Sequence, residues 1–153
     1  MAFVRQVDGS DSPVRVGTRG VFVRGVSVSP RGDYLALVIG GGDSSGGDDV
    51  WLAHVDSLNA PRAFLSESYR EFNPRFSRDG RWLAYTSTRD GREESYVRAL
   101  TGGAELKISV DGGREPVWSR KGDELFFRSD RFLMASQLSF SRGLSVASVK
   151  RHL

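Results

Sequence analysis

One short motif in the sequence has the residue types of a catalytic nucleophile. Residues 42–46 read GDSSG and match the G-x-S-x-G nucleophile elbow of serine hydrolases. Such an elbow needs a strand before it, a helix after it and a histidine base near the serine. Here the motif lies in a tract of Gly, Ser and Asp that precedes another predicted strand, and the only histidines are His54 and His152. We therefore interpret residues 42–46 as a connecting loop and predict no catalytic residue.

The same tract contains carboxylates that could bind a cation. Asp43, Asp48 and Asp49 supply oxygen atoms of the kind that Ca²⁺ prefers. Their spacing does not match an EF-hand loop, and the neighbouring glycines would make the site costly to order. The sequence contains no cysteine, which excludes a thiolate zinc site. We interpret the tract as a solvated acidic loop and expect neither a metal site nor an organic cofactor.

The charge distribution argues against a nucleic-acid partner. The 153 residues carry a net charge of +3, and the 22 basic residues are almost all arginine. These arginines are dispersed along the chain and form no basic run, so we predict no nucleic-acid binding. No stretch of apolar residues is long enough to span a membrane, and the first residues lack the apolar core of a signal peptide.

Three stretches of the sequence repeat one pattern. Around Ser29, Ser77 and Ser119 the sequence reads VSVSPRGDYLALV, PRFSRDGRWLAYT and PVWSRKGDELFFR. Each copy has Val or an aromatic residue before the serine, a glycine three residues after it, and then an apolar run. The serines are 48 and 42 residues apart, within the period of about 40 to 50 residues that is typical of propeller blades.

Each repeat predicts a four-stranded antiparallel unit. A short strand enters a tight turn, whose glycine can adopt a positive φ, and a second strand follows that is apolar enough for burial on both faces. Third strands are predicted at residues 49–55, 95–100 and 133–138. Shorter and more polar fourth strands are predicted at residues 61–65, 106–109 and 144–149.

The first residues predict an incomplete unit. Residues 2–16 read AFVRQVDGSDSPVRV and look like the third and fourth strands of a blade, because FVRQV corresponds to YVRAL in a later repeat. The predicted fold class is an all-β propeller with about three and a half four-stranded blades. The predicted division is a half blade at 1–17 and blades at 18–66, 67–110 and 111–153.

The repeated hairpin resembles the WD40-like (PD40), TolB-type propeller repeat. In that repeat a blade opens with Pro-x-aromatic-Ser-Pro-Asp-Gly-basic, followed by an aliphatic residue, Ala and an aromatic residue. The second repeat, PRFSRDGRWLAYTS, is close to this pattern but has Arg78 where Pro is usual. The first repeat has Arg31 in place of Asp, and the third has Arg120 and Lys121 in place of Pro-Asp. The resemblance implies a β-propeller fold.

From about residue 61 onward, the sequence is more closely similar to the last two blades of propellers that follow bacterial receptor-type serine/threonine kinase domains. The chain has no Gly-rich nucleotide loop, no HRD motif and no DFG motif, so the resemblance brings no kinase activity. We predict a non-catalytic module for protein–protein interaction or ligand sensing. The alternative is a sensory or gating part of a larger enzyme, such as a kinase or a propeller-linked peptidase.

The predicted partner surface is the end of the propeller where second strands connect to third strands and each blade connects to the next. These connections fall at residues 40–49, 66–72, 87–93 and 110–114. Connecting loops on a rigid scaffold commonly carry binding residues; the alternative is an unremarkable solvated rim. The candidate binding residues are Arg70, Glu71, Arg89, Asp90, Arg92 and Arg114. The resemblance implies a protein or cell-envelope partner and a periplasmic or extracytoplasmic location.

Two further expectations concern packing. Six aromatic residues of the repeats could stack on a ligand, but their repeated positions favour the core: Phe76, Trp82, Tyr85, Trp118, Phe126 and Phe127. The half blade leaves an unpaired strand edge, which invites pairing with another chain. One hypothesis is a homodimer that completes a ring, and the alternative is a fragment of a propeller with six to eight blades.

Overall fold

The computed structural model describes residues 2–5, 12–16, 22–40, 47–141 and 143–152. These residues form fourteen β-strands and one short 3-10 helix, Val55–Ser57. The strands are β1 (Ala2–Val4), β2 (Val14–Val16), β3 (Phe22–Val28), β4 (Tyr34–Gly40), β5 (Asp48–His54), β6 (Arg62–Leu65), β7 (Glu71–Phe76), β8 (Trp82–Ser87), β9 (Glu94–Ala99), β10 (Glu105–Lys107), β11 (Arg114–Trp118), β12 (Glu124–Ser129), β13 (Phe132–Ser139) and β14 (Ser145–Arg151).

The strands form antiparallel sheets in chain order. Three sheets have four strands each, β3–β4–β5–β6, β7–β8–β9–β10 and β11–β12–β13–β14, and β1 pairs with β2 in a two-stranded sheet. The prediction of an all-β fold built from four-stranded units is therefore confirmed. No helix in the described part of the chain is long and apolar enough to cross a membrane.

The repeated serine closes each turn between first and second strands. The Ser77 amide donates to the Trp82 carbonyl at 2.8 Å, and the Ser77 hydroxyl accepts from the Trp82 amide at 3.0 Å. Gly80 has φ of +69°, a conformation that costs little without a Cβ. Ser29 and Ser119 donate their amides in the same way, at 2.9 and 2.8 Å. The recurring sequence pattern is thus a recurring set of local hydrogen bonds.

The hydrophobic core lies between the stacked sheets. Alternate residues of β4 face two different neighbouring sheets. Leu35 and Leu37 pack with Val16 of β2, whereas Ala36 packs with Phe76 of the next four-stranded sheet. The junction between the second and third four-stranded sheets is a third cluster that includes Ala84, Val97, Leu125, Phe127 and Leu138. The second strands β4 and β8 are therefore buried on both faces, as their apolar runs predict, whereas β12 is buried on one face.

The six aromatic residues assigned to the core divide into two groups. Tyr85, Phe127 and Phe76 are buried, at 0, 2 and 9% exposure. Trp82 and Trp118 are partly buried and pack against the core between the second and third four-stranded sheets, whereas Phe126 belongs to no core cluster, so the core prediction was wrong for Phe126. The Trp118 indole donates to the Arg75 carbonyl at 3.0 Å near the surface. Phe126 lies on the sheet face opposite Phe127, which no described strand covers.

The fourth strands begin and end at other residues than predicted. They are Arg62–Leu65, Glu105–Lys107 and Ser145–Arg151. The second of these ends early because the Ser95 amide of β9 donates to the Ser109 hydroxyl at 2.8 Å, where a continued ladder would use a backbone carbonyl. The third is long rather than short, since it pairs along most of β13. Each first strand also contains a bulge, with Asn73 and Glu115 at φ of +54° and +57°.

Candidate interaction site on the loop face

The connections named by the sequence analysis meet at one end of the sheets. The Thr88 amide donates to the Arg70 carbonyl at 3.1 Å, and the Gly113 amide donates to the Glu93 carbonyl at 2.8 Å. We call this end the loop face, defined in the described part of the chain by the β6–β7, β8–β9 and β10–β11 connections and by Asp48 at the start of β5. The opposite end, which carries the turns between first and second strands, is the turn face. The structure places all six candidate residues on the loop face, although not all of them reach solvent.

Arg70 is held in place by a buried carboxylate. Its Nε and Nη2 donate to Asp48 Oδ2 at 3.2 and 2.7 Å, and Arg24 Nε lies 3.3 Å from the other oxygen, Oδ1. The side chain of Asp48 is 7% exposed, whereas that of Arg70 is 53% exposed. The Arg70 guanidinium also lies 4.9 Å from the centroid of the Phe72 ring. The result is a fixed cation at the surface above a hidden anion.

Arg92, in the β8–β9 connection, forms a similar pair with a buried carboxylate. Its Nε donates to Glu94 Oε1 at 2.8 Å, and its Nη2 donates to the Val110 carbonyl at 2.6 Å. Glu94 is fully buried, while the Arg92 side chain is 53% exposed. Burial by itself would raise the pKa of Glu94, but hydrogen bonds from Ser109 and Arg92 outweigh it and hold the pKa below its usual value.

Asp90 and Arg114 form more exposed pairs. Asp90 accepts from Lys107 Nζ at 2.6 Å and from the Tyr96 hydroxyl at 2.9 Å. The hydrogen bond from Lys107 lowers the pKa of Asp90, so it is a carboxylate at neutral pH. Arg114 Nη1 lies 3.4 Å from Glu93 Oε2, and both side chains are more than one-third exposed. These two residues keep polar groups available at the surface.

Arg89 points into the fold rather than toward a partner. Its guanidinium lies 4.1 Å from the centroid of the Tyr96 ring and 5.4 Å from that of Tyr69. Its Nη1 donates to Glu105 Oε2 at 2.7 Å, and the Tyr85 hydroxyl donates to the other oxygen of the same carboxylate. Only 23% of the Arg89 side chain is exposed. This arginine braces the β8–β9 connection against β10.

Glu71 is fully buried and cannot be a surface contact in this conformation. Neither of its carboxylate oxygens has a hydrogen-bond partner among the described residues. Burial, followed by repulsion from Asp49, raises the pKa of Glu71 from 4.5 to about 7. The Glu67 backbone and the Arg89 guanidinium favour the ionised form, each less strongly than Asp49 opposes it, and the Glu67 carboxylate repels it least. The group is therefore poised to change its charge near neutral pH.

The six candidates therefore separate by exposure. Arg70, Asp90, Arg92 and Arg114 reach solvent, whereas Glu71 is internal and Arg89 is largely internal. Two anchors, Asp48 and Glu94, were not among the predicted site residues. The available signal was a charged residue at the first position of a third strand, where alternation turns the side chain inward. The binding role of the loop face stays a prediction.

The catalytic and metal hypotheses have no support within the described chain. The GDSSG motif and Asp43 lie outside the described residues. The Asp48 carboxylate forms ion pairs with Arg24 and Arg70. Burial raises the pKa of Asp49, and a hydrogen bond from Ser66 partly offsets this rise. Within the described ranges no group of three or more His, Cys, Asp or Glu side chains is arranged to hold a metal ion.

Solved structures with the same arrangement of sheets identify the fold. A TolB-like protein from Agrobacterium tumefaciens superposes with a TM-score of 0.66 at 19% identity, over 88% of this chain and 52% of that one. The β-propeller domain of the Trilobed protease from Pyrococcus furiosus gives a TM-score of 0.66 at 16% identity, over 87% of this chain and 43% of that one. The fold is a β-propeller.

Two curated relatives support the TolB-type propeller family. Tol-Pal system protein TolB from Desulfosudis oleivorans is 28% identical over 125 residues, which cover 81% of this chain and 24% of that protein. Tricorn protease homolog 1 from Streptomyces coelicolor is 40% identical over 80 residues, which cover 52% of this chain and 7% of that protein. This propeller thus spans a quarter or less of the length of these relatives. No protein-family model matches the sequence.

Proposed function

We propose that this propeller is a non-catalytic interaction module that binds a protein or cell-envelope partner through its loop face. The observation that carries the proposal is the paired arrangement of Arg70 on Asp48 and Arg92 on Glu94. In both pairs the cation is about half exposed and the carboxylate is buried. The surface therefore presents guanidinium groups whose positions are already set by the fold.

This arrangement suits recognition of carboxylate groups on a partner. A guanidinium has five N–H donors in a planar fork. Asp48 receives donors from Nε and Nη2 of Arg70, which leaves Nη1 directed away from that carboxylate. Because the arginine is fixed before binding, less side-chain entropy is lost when a partner carboxylate accepts the remaining donors. Charge complementarity of this kind mainly sets specificity and association rate.

The relatives add support for the class of partner. The relative from Desulfosudis oleivorans is a Tol-Pal system protein, and the TolB-type repeat implies a cell-envelope setting. We accordingly propose an extracytoplasmic location and a protein or envelope component as ligand. We also propose that this chain is related to the propellers that follow receptor-type serine/threonine kinase domains.

The test is a comparison of cross-linked partners before and after removal of the two surface cations. The purified protein and its Arg70→Gln/Arg92→Gln variant are incubated with envelope extract, cross-linked and analysed by mass spectrometry. We expect the variant to lose the partners that the wild type captures in a salt-sensitive manner. A turn-face variant, Arg120→Gln/Lys121→Gln, removes the same formal charge and serves as the matched control.

Circular dichroism confirms that each variant is folded before the comparison is made. If the loop-face and turn-face variants capture the same proteins as the wild type, the loop face is not the binding surface. If both variants lose the same proteins, binding depends on net charge alone, and the proposal is equally contradicted.

A second candidate is a sensory or gating part of a larger enzyme. The match to Tricorn protease homolog 1, at 40% identity over only 7% of that protein, favours this alternative. An antibody raised against the propeller distinguishes the two on immunoblots of native cells. A band far above 16.9 kDa supports the larger protein, and a band at 16.9 kDa overturns it.

A homodimer is a further proposal, suggested by uncovered apolar residues on β3. Val26 and Val28 are 54 and 56% exposed, whereas the corresponding residues of the next repeat, Pro74 and Phe76, are buried by the preceding blade. Among the described strands, β1 also has a free edge. We expect light scattering to give about twice 16.9 kDa. A monomeric mass at high concentration would contradict pairing through this surface.

A further inference from the structure

The turn face carries two clefts at equivalent positions of the repeat. The first cleft lies between the turns that follow Ser29 and Ser77 and has a volume of about 520 Å³. The second cleft lies between the turns that follow Ser77 and Ser119 and has a volume of about 380 Å³. Because the two are built from homologous residues, their differences identify what each cleft can accept.

The second cleft is bridged by one of its own side chains. Arg78 Nη1 donates to the Arg120 carbonyl at 3.1 Å and so connects one turn to the next. Below this bridge the rings of Trp82 and Phe140 lie 5.3 Å apart, centroid to centroid. With the bridge and the two rings in place, the second cleft has a volume of about 380 Å³, smaller than the first.

The first cleft lacks both of these features. Pro30 stands where the second cleft has Arg78, and a proline side chain has no hydrogen-bond donor for the next turn. Tyr34 stands where the second cleft has Trp82, and its ring packs edge-on against His54 at 4.9 Å. The floor is formed by the core side chains of Leu52 and Phe76, at 3 and 9% exposure, and by the partly buried Leu100.

The rim of the first cleft carries three arginines, Arg31, Arg62 and Arg81, against two carboxylates, Asp33 and Asp79, and so has a net charge of +1. Two carboxylates line it, but Asp79 is bound to Arg81 at 2.6 Å and Asp33 accepts the Ser29 hydroxyl at 2.6 Å. Arg31 and Arg62 are exposed and line the same cleft. Neither forms a hydrogen bond or a close ion pair with another described residue; Arg31 acts on Asp33 only as a nearby charge.

We propose that the first cleft binds an acidic peptide segment in which a large apolar side chain stands next to carboxylates. The apolar side chain would pack on Leu52, Phe76 and Leu100, and a neighbouring carboxylate would accept from Arg31 or Arg62. The volume of about 520 Å³ lies within the range of about 300 to 1,000 Å³ that is usual for ligand sites. An apolar floor with a few charged groups at the rim is the composition expected of such a site.

This peptide site is separate from the loop face. The strand β4 runs from the first turn to the loop face over seven residues, a distance of about 20 Å. The two surfaces can therefore be tested independently, and the loss of one leaves the other in place.

The experiment is a titration of the ¹⁵N-labelled protein with the acetylated and amidated hexapeptide GELFEG, followed by amide chemical shifts. We expect shifts at the amides of Asp33, Gly80 and Thr101, which border the first cleft, and none at Gly112 on the loop face. The matched peptide GQLFQG should bind about tenfold more weakly, because loss of charge-assisted hydrogen bonds costs on the order of 1.4 kcal/mol.

Three protein variants test the assignment of residues. Arg31→Gln/Arg62→Gln should weaken binding of GELFEG about tenfold. Pro30→Arg should abolish binding, because an arginine there can donate to the Arg78 carbonyl and close the first cleft as Arg78 closes the second. Arg120→Gln, on the same face but outside the first cleft, should bind as tightly as the wild type.

Each other result contradicts the proposal. Equal affinity for the two peptides means that the rim cations do not recognise carboxylates. Undiminished binding to Pro30→Arg places the peptide outside the first cleft, and so do shifts centred on the loop face. The absence of any shift at millimolar peptide overturns the site altogether.

Discussion

Two buried carboxylates at the loop-face end of the second four-stranded sheet lie in one row and have opposite environments. Glu71 on β7 pairs with Ser87 on β8, which in turn pairs with Glu94 on β9. All three residues are fully buried. Yet the pKa of Glu71 rises to about 7, chiefly through burial, whereas partners overcome the effect of burial at Glu94 and lower its pKa.

The difference arises from the connections that reach each end of the row. The β10–β11 connection brings the Ser109 hydroxyl and the Gly112 amide to Glu94, which also contacts Lys107 Nζ at 3.2 Å. At Glu71 no such donor is present among the described residues. Burial by itself disfavours a charged carboxylate, and fixed donors reverse the preference. The same residue type at the same depth thus becomes an anchor in one place and a titratable group in the other.

Removal of the satisfied carboxylate should have the largest effect. Glu94→Ala leaves the Ser109 hydroxyl without its acceptor and removes the carboxylate that fixes Arg92 at the surface. We expect the free energy of unfolding to fall by about 4 kcal/mol, the usual scale for breaking a buried ion pair. Urea denaturation at pH 7 measures it.

The control for that prediction is Glu93→Ala. Glu93 is partly exposed and pairs with Arg114 at 3.4 Å, so its removal should cost less than about 1 kcal/mol. If both variants lose the same free energy of unfolding, the hydrogen bonds and ion pairs of Glu94 do not stabilise the fold more than the exposed pair of Glu93.

The pH dependence of stability should reveal Glu71. In the unfolded chain this carboxyl loses its proton near pH 4.5, and in the folded protein it keeps the proton up to about pH 7. Its contribution is therefore fully favourable below pH 4.5 and is lost as the pH rises through 7. The Glu71→Gln variant stays neutral, so we expect its stability relative to wild type to be about 3 kcal/mol greater at pH 8 than at pH 4.

Urea denaturation of wild type and variant between pH 4 and pH 8 gives this difference directly. A difference in stability that is constant over this range would mean that Glu71 ionises as an ordinary carboxyl.

The stability of Glu94→Gln relative to wild type should change with pH in the opposite direction to that of Glu71→Gln. Because the folded pKa of Glu94 is lowered, its stabilising effect is present above pH 4.5 and is lost as the pH falls through the folded value. We expect Glu94→Gln to be destabilised by about 2 kcal/mol at pH 7, and by progressively less as the pH is lowered below 4.5. A destabilisation that grows on acidification would contradict the assigned direction of the pKa shift.

The smallest effect is expected at the residue between the two carboxylates. The Ser87 hydroxyl accepts from the Arg89 amide at 3.2 Å, and its removal in Ser87→Ala should cost about 1 kcal/mol. The pH range over which stability changes should not move, because no hydrogen bond joins this hydroxyl to either carboxylate among the described contacts. A shift of that range in urea titrations would show that Ser87 couples the two groups.

Much of the fold could be predicted from the sequence because it depends on local patterns. The serine and glycine of each hairpin turn, such as Ser77 and Gly80, bond within a few residues of each other. The continuous apolar runs in β4 and β8 predict that these strands are packed on both faces. The pairing of β1 with β2 was predicted from the similarity of FVRQV to YVRAL. None of these features requires knowledge of distant residues.

The sequence predicted the face on which the candidate residues lie, but not which of them are exposed to solvent. The loops were assigned to one face by topology, which holds for any blade of this type. Whether a charged residue on that face is exposed depends on which other connection packs against it. Arg89 is enclosed by Tyr69 and Tyr96, and Glu71 lies beneath the rim, although in sequence both resemble their exposed neighbours Arg70 and Asp90.

By itself, then, the sequence determined the repeat, the four-stranded sheets and the end of the propeller at which the connecting loops meet, since these follow from short-range periodicity and turn chemistry. Only the tertiary structure decided which carboxylates are buried, which arginines stay at the surface and which of two homologous clefts is open. Those outcomes depend on contacts between residues about 20 to 40 positions apart, such as Asp48 with Arg70 and Arg78 with Arg120. The energies of such pairs are set by the burial and geometry that the packed blades create, which the sequence pattern does not contain.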